Sequence, residues 1–374
     1  MAFHLGCLQG LFERGLLDRV AVISSVSGGS VLAALYCSSA GDFAAFEKRV
    51  RQVLRRGFLT EALLVCCTTT EGAKAVAAFT LLALERLLAT VVGLLFAALF
   101  WSPRWLQAWL QASPVRRWAS RTTILKRVIS RLFGGIALNC LRKDRPRLII
   151  VACELRAKAA IYFTADKIHC WRYGTAPSDA VELAHAVTAS AAYPLLLPAF
   201  DEYMSFKNRG IDTLQRVSVT DGGVYDNLGP APLWPDRDPD ISMVVGRFDH
   251  VIACRAGYSL EIGKPTTFFR SRMSAAFESV FARSQNYATK RLFDLQDSGK
   301  LKRVLLPYLG QNDKQLSVPP SDLVSRDEVA NYPTNFSGMS EEWINRLSLR
   351  GKQLVHALLD EHWPDVKGAE KAKA

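Results

Sequence analysis

The sequence predicts an α/β fold, with three α/β/α layers around a mainly parallel sheet and one helical insertion that is first apolar and then basic. Apolar strand-like runs alternate with helical segments, as expected for such layers. The run RLIIVA at 147–152 is almost entirely apolar, which is typical of a parallel strand buried on both faces. A β-branched run at 20–24 leads through a small-residue turn into an apolar helix, which is the start of an α/β unit.

Periodicity places the individual elements. Helices are expected where apolar residues recur every three or four positions, and strands where apolar residues alternate or run together briefly. The predicted helices are 2–13, 28–38, 43–57, 179–191, 266–298 and 341–361. The predicted strands are 20–24, 147–152, 161–164, 217–220, 250–254 and 304–306.

The segment 21–30, AVISSVSGGS, contains a candidate nucleophile. Strand, tight turn and helix form the setting of a nucleophile elbow, in which a serine sits on a strained turn with its Oγ exposed. The elbow pattern is G-x-S-x-G, and this chain has S-V-S-G-G, with Ser25 in place of the first glycine. Ser27 is the candidate. A phosphate-cradling turn or a plain loop would have a similar composition, although a phosphate site predicts a basic residue that this turn lacks.

A second candidate group ends the predicted strand 217–220. Asp221 follows this strand directly and stands before Gly222 and Gly223. A carboxylate at a strand end can act as a general base toward a hydroxyl within hydrogen-bond reach. The two glycines allow a sharp turn and a close approach of another chain segment. The alternative is an ordinary Asp-Gly turn.

Together the two motifs resemble the patatin-like phospholipase family, which uses a Ser-Asp dyad with serine in G-x-S-x-G and aspartate in D-G-[GA]. Other segments also resemble the family, in the same order along the chain. They are 2–11, 13–18, the A-S-x-A-x-P stretch at 189–194 and the D-G-G-x-x-[DN]-N stretch at 221–227. The resemblance covers residues 1–60 and 145–255. It implies the three-layer α/β/α fold and a lipid acyl hydrolase.

The resemblance also implies a role for each residue. Ser27 attacks an ester carbonyl, Asp221 accepts its proton, and water then hydrolyses the acyl-enzyme. The backbone N–H of Gly28 is the expected oxyanion donor. Six residues are expected to support the two turns: Ser25, Gly29, Gly222, Gly223, Asp226 and Asn227.

Such a dyad requires neither histidine nor metal. The six histidines, at 4, 169, 185, 250, 356 and 362, lie outside any recognisable triad pattern. The sequence has no H-E-x-x-H, EF-hand loop or Cys/His cluster with ligand spacing, so no cofactor and no metal is expected.

One family feature is missing from the chain. Members carry a G-G-G-x-[RK]-G stretch before the first helix, and its N–H groups form the oxyanion hole. This chain starts at Met1-Ala2-Phe3, where that stretch would have just ended. Two explanations stay open: a start at an internal methionine of a longer protein, which we favour, or an inactive member that binds lipid or a partner.

The composition indicates the class of protein and its cellular compartment. The chain has 374 residues, of which 49% are hydrophobic and 22% are charged. This composition is typical of a globular protein with an apolar bias. Its eight cysteines lack C-x-x-C spacing, which favours free thiols in a reducing compartment. No signal peptide is visible, so membrane association from the cytoplasmic side is expected.

Charge and hydrophobicity are concentrated in the insertion. Residues 102–147 hold eleven basic residues and one acidic residue. The net charge of the whole chain is +12. Just before them, 87–101 is uncharged and would span about 22 Å as a helix, short of a ~30 Å membrane core. Ser27 and Asp221 must meet on one side of a membrane. We therefore expect an interfacial or re-entrant element; a short hairpin crossing and packing inside the protein are the alternatives.

Tryptophans mark the expected membrane contact. Trp101, Trp105 and Trp109 recur every four residues, and Arg116 and Arg117 follow. Tryptophan beside basic residues is typical of an anchor at an anionic membrane surface. No helix-turn-helix, zinc-finger or RNP pattern accompanies the basic block, so nucleic acid is not an expected partner.

The predicted organisation has four parts. The patatin-like catalytic domain comprises 1–59 and 135–320, with its first strand and oxyanion loop absent. The insertion is 60–134, a loop and an amphipathic helix occupy 321–366, and the tail 367–374 is predicted to be disordered. The sequence does not indicate the oligomeric state.

Overall fold

A computed structural model describes residues 1–97, 105, 108–109, 115–257, 267–330, 332–333 and 335–366. The helices in these residues are α1 Ala2–Glu13, α2 Gly28–Ser38, α3 Phe43–Arg56, α4 Leu59–Thr68, α5 Thr70–Ala97, α6 Val115–Trp118, α7 Arg121–Phe133, α8 Leu183–Ser190, α9 Gly223–Asp226, α10 Phe269–Asp297, α11 Arg326–Val329 and α12 Glu341–His362. The strands are β1 Val22–Val26, β2 Arg147–Glu154, β3 Ala159–Phe163, β4 Ile168–Cys170, β5 Gly174–Ala176, β6 Phe200–Asn208, β7 Ile211–Asp221, β8 His250–Ile252 and β9 Arg303–Leu305.

The main sheet is antiparallel, and the predicted three-layer α/β/α fold with a mainly parallel sheet is wrong. Strands β2 to β7 pair antiparallel in chain order, and β7 pairs back with β2, so the six strands form a closed barrel. β1 joins this sheet as a parallel neighbour of β2. β8 and β9 form a separate, small parallel sheet.

Short connections explain the antiparallel pairing. A turn of two to four residues can join only antiparallel strands, because a parallel pair requires a crossover of about a dozen residues or more. Four connections of the main sheet are this short: 155–158, 164–167, 171–173 and 209–210. The apolar run of β2 reflects burial of both its faces, which is the same for either strand direction.

The β6–β7 hairpin contains a turn signal that the sequence prediction missed. Its loop is Arg209-Gly210, and Asn208 pairs with Ile211. Arg209 has φ 48° and Gly210 has φ 86°. Two successive positive φ values fit the two-residue turns that match the twist of antiparallel strands. The hairpin therefore continues far beyond the strand predicted at 217–220.

Strand pairing brings the two candidate residues together. β1 and β7 lie along the same edge of β2, opposite β3, and their ends face each other. Val26 is paired with Val151, while Asp221 is paired with the next residue, Ala152. Ser27 follows Val26 directly, so it emerges beside Asp221.

Helices α1 and α12 pack closely against each other. A Cβ at Gly6 would overlap the backbone of Ser348, and a Cβ at Gly351 would overlap the backbone of Phe3. The fully buried Arg350 donates hydrogen bonds to the carbonyls of three loop residues, Leu309, Gln311 and Val324. The C-terminal helix thus supports the helix that precedes the serine strand.

The segment predicted as an insertion, 60–134, is helical where the structure describes it. α5 has 28 residues, which corresponds to about 42 Å. By length and composition its residues 70–96 could cross a membrane, with a mean hydropathy of 1.9 and 0% of the most apolar window buried. A core helix of a soluble domain can pass the same test, but it would be buried. The boundaries of the predicted domains stay predictions, and the tail 367–374 lies outside the described residues.

Candidate active site

Ser27 sits on a strained turn between β1 and α2. Its backbone has φ 52° and ψ −129°, a conformation that a residue other than glycine rarely adopts. This geometry places Ser27 at the N-cap of α2, with Gly28 as the first helical residue. N–H groups of a first helical turn have no intrahelical acceptor, so they favour negative charge at this end of α2.

Ser27 and Asp221 are in direct contact. The Ser27 hydroxyl donates a hydrogen bond of 2.8 Å to Asp221 Oδ2. The other carboxylate oxygen, Oδ1, accepts a hydrogen bond of 2.8 Å from the Gly223 N–H. The Asp221 side chain is therefore held by the turn that follows it, with one oxygen left for the serine.

Asp221 is buried, with 1% of its surface exposed. Burial raises the pKa of this carboxyl to about 6, although the hydrogen bonds from Gly223 and Ser27 act in the opposite direction. A carboxylate with a pKa near neutrality is a better proton acceptor than an exposed aspartate. At pH 7 it would still be mostly ionised.

Ser190, at the end of α8, holds the backbone of the Ser27 turn. Its Oγ accepts a hydrogen bond of 3.0 Å from the Ser27 N–H and donates one of 2.6 Å to the Val151 carbonyl. It also lies 2.8 Å from the Ser30 Oγ. The sequence places Ser190 in the A-S-x-A-x-P stretch but does not indicate its role. The sequence signal that could have indicated this role is a serine within an otherwise apolar helical run.

The glycines of the Asp221 turn are closely packed. A Cβ at Gly222 would overlap the carbonyl of Val151, and a Cβ at Gly223 would overlap the ring of Phe281. Around Gly28 and Gly29 there is more space, since added Cβ atoms would be 3.9 Å from Met1 and His4 respectively. The tight fit thus concerns the aspartate turn more than the elbow.

The remaining predicted support residues lie around the two turns. The buried Ser25 hydroxyl donates a hydrogen bond of 3.1 Å to the Ile149 carbonyl, so a serine fits where the elbow pattern has glycine. Asp226 accepts the N–H groups of Gly229 at 2.9 Å and Ala231 at 3.0 Å. Asn227 directs its Oδ1 toward Gly223. None of the three touches Ser27 through an observed hydrogen bond, so their contribution is to the shape of the turns.

Two histidines have hydrogen-bond partners other than the dyad. His4 Nε2 is 3.1 Å from the Cys254 carbonyl, and His185 Nε2 is 2.9 Å from Glu202 Oε1. Among the described residues, no three His, Cys, Asp or Glu side chains are grouped so that they could hold a metal ion.

The predicted membrane contacts are separate from the dyad. Trp105 and Trp109 are exposed, and Trp109 lines an open apolar groove with leucines of α5. Arg117 lies over the ring of Tyr203 at 5.2 Å, which ties α6 to the β6–β7 hairpin. Trp101 and the side chain of Arg116 lie outside the described residues.

Residues 1–234 match the family model of the patatin-like phospholipases, and the chain belongs to this family. Membership supports lipid acyl hydrolysis in general terms. A comparison with solved structures finds similarity to the crystal structure of VipD from Legionella pneumophila, at 13% identity and a TM-score of 0.36. That match covers 96% of this chain and 65% of VipD, so the chain spans about two thirds of the length of VipD. No curated protein sequence matches the chain.

Proposed function

We propose that this protein hydrolyses acyl ester bonds of phospholipids or other lipid esters, with Ser27 as nucleophile and Asp221 as general base. The observation that carries the proposal is the 2.8 Å hydrogen bond from Ser27 Oγ to a buried carboxylate. The strained backbone of Ser27 adds support, because strain of this kind concentrates at functional turns. Membership of the patatin-like phospholipases agrees with the substrate class.

The proposed reaction has two balanced steps. Ser27 Oγ attacks the ester carbonyl carbon while Asp221 takes the hydroxyl proton, and the Gly28 N–H faces the developing oxyanion. The tetrahedral intermediate collapses, and Asp221 returns the proton to the leaving alcohol. Water then attacks the Ser27 acyl ester while Asp221 takes one of its protons. The second intermediate collapses, the fatty acid leaves, and Asp221 returns the proton to Ser27 Oγ.

A membrane surface is the proposed working environment, approached from the cytoplasmic side. α5 exposes a series of leucines along its length, and Trp105 and Trp109 are exposed close to it. Apolar helices flanked by tryptophan and by basic residues bind anionic interfaces through both burial and charge. This surface would bring the enzyme to lipid esters.

Labelling with a fluorophosphonate probe tests the dyad, because the probe reacts only with an activated serine. The chain is expected to label, and Ser27→Ala is expected to abolish labelling. Asp221→Asn should slow labelling by about a hundredfold or more, as expected when a general base is lost. Ser317→Ala changes a serine far along the chain and serves as the matched control. Absence of labelling in folded protein would contradict the hydrolase proposal and would leave a lipid-binding member of the family.

Vesicle co-sedimentation tests the membrane surface separately. Leu88→Glu and Leu94→Glu place charges at exposed positions of α5, and Val318→Glu makes the same change at an exposed position outside the insertion. Binding to vesicles of phosphatidylcholine and phosphatidylserine should fall for the two α5 variants and not for Val318→Glu. Equal binding of all three variants would contradict docking through α5.

A further inference from the structure

α10 packs against the Asp221 turn and lies outside the family-matched residues 1–234. Its C-terminal half is anchored in the protein by the buried residues Gln285, Ala288, Leu292 and Leu295. Its N-terminal half contains no fully buried residue among those described. That half nevertheless carries an apolar residue at every fourth position: Phe269, Met273, Phe277 and Phe281. We call these four residues the α10 stripe.

The inner end of the α10 stripe touches the aspartate turn. The Phe281 ring lies where a Cβ of Gly223 would be, and the Gly223 N–H is bonded to Asp221. Phe277 follows, with its ring centroid 5.2 Å from that of Phe281 and 5.9 Å from that of Tyr193. The residue before Tyr193, Ala192, accepts a hydrogen bond of 3.2 Å from the Asp221 N–H through its carbonyl. Tyr193 therefore contacts α10 through its ring and directly follows a residue bonded to Asp221.

The outer end of the α10 stripe is open to solvent. Phe269 is 72% exposed and Met273 is 49% exposed. Phe281 is twelve positions after Phe269, which corresponds to about 18 Å along the helix axis. This is on the scale of a long fatty acyl chain and far exceeds a short one.

The geometry points to the α10 stripe as the binding track for the acyl chain of the substrate, which selects long-chain over short-chain esters. This inference rests on the proposed hydrolase function. An acyl chain is the fitting occupant because the four stripe residues are apolar and the stripe begins at Gly223, whose N–H is bonded to the proposed base Asp221. Apolar contact with each methylene adds to affinity, so a long chain gains more than a short one.

Hydrolysis of p-nitrophenyl palmitate and p-nitrophenyl butyrate in non-ionic detergent micelles tests the track. Met273→Lys places a charge at its exposed outer end without disturbing the core. Tyr287→Lys makes the same charge change on the same helix, at a residue that is 60% exposed and that stacks with Arg283. Phe277→Ala widens the inner part of the track. The ratio of kcat/KM for palmitate to that for butyrate should fall about tenfold for Met273→Lys and for Phe277→Ala. Tyr287→Lys should not change this ratio.

The fluorophosphonate reaction separates the two hypotheses, because a small probe needs the dyad and not the track. Labelling of Ser27 with an unchanged palmitate-to-butyrate ratio in Met273→Lys and Phe277→Ala would overturn the track and leave the dyad. A ratio that changes equally in Tyr287→Lys would also overturn it, since the effect would then come from charge alone. Reduced vesicle binding of Met273→Lys with an unchanged ratio would assign the stripe to the membrane instead. Absence of labelling in the unmodified protein would refute the proposed function itself.

Discussion

Replacing Asp221 by asparagine should stabilise the protein while removing its reactivity. The substitution takes away a buried charge and keeps the shape of the side chain. The asparagine Oδ1 can still accept the Gly223 N–H, and its Nδ2 can donate to Ser27 Oγ in place of the present bond. The variant therefore loses no hydrogen bond, and it loses the ability to accept a proton.

The magnitude follows from the pKa of the carboxyl. Burial raises this pKa from the ordinary 3.8 to about 6, which corresponds to about 3 kcal/mol of the free energy of unfolding. Because the folded protein holds this proton more tightly than the unfolded chain, stability falls as the pH rises from about 4 to about 6. Above pH 6 the ionised Asp221 carries the full cost, and below pH 4 it carries none.

Urea denaturation at pH 7.5 and at pH 4 measures this effect. Asp221→Asn should exceed the unmodified protein in the free energy of unfolding by up to about 3 kcal/mol at pH 7.5, and the difference should vanish at pH 4. Asp240→Asn removes the same charge from an exposed position and controls for net charge. A variant that is less stable at pH 7.5, or a difference that is the same at both pH values, would refute the desolvation argument.

Three further outcomes follow from the same site. The rate of Ser27 labelling should fall below pH 6 with a single protonation, because burial raises the pKa of Asp221 to about 6 and only its ionised form accepts a proton; a rate independent of pH between 5 and 8 would contradict this. Ser27→Gly should be more stable than Ser27→Ala by about 1 kcal/mol in thermal unfolding, because only glycine adopts φ 52° without strain; equal stabilities would show that the turn is unstrained. Ser190→Ala should lower the free energy of unfolding by about 1–3 kcal/mol in urea, since the Ser27 N–H would lose its acceptor, whereas an unchanged value would mean that water replaces the hydroxyl.

Part of the candidate site was predictable from the sequence, because short motifs depend on local geometry. Ser27 and Asp221 were singled out by the small residues around them and by the strands before them. The structure brings their side chains into contact although they are 194 residues apart. Their catalytic roles stay predictions, since contact alone does not demonstrate chemistry. The role of Ser190 was not predictable, because its three polar contacts come from other segments of the chain.

The sequence determined where most helices and strands lie, because burial and backbone preference leave a periodic pattern in the residues themselves. It did not determine the direction of the strands, since a strand such as β2 shows the same apolar run whether its neighbours are parallel or antiparallel. Pairing of β1 and β7 along one edge of β2 decided that Ser27 would meet Asp221. Packing of α10 against the turn at Gly223 likewise decided that an apolar stripe would begin beside the turn that holds Asp221. Both arrangements depend on contacts between distant residues, which no local pattern encodes.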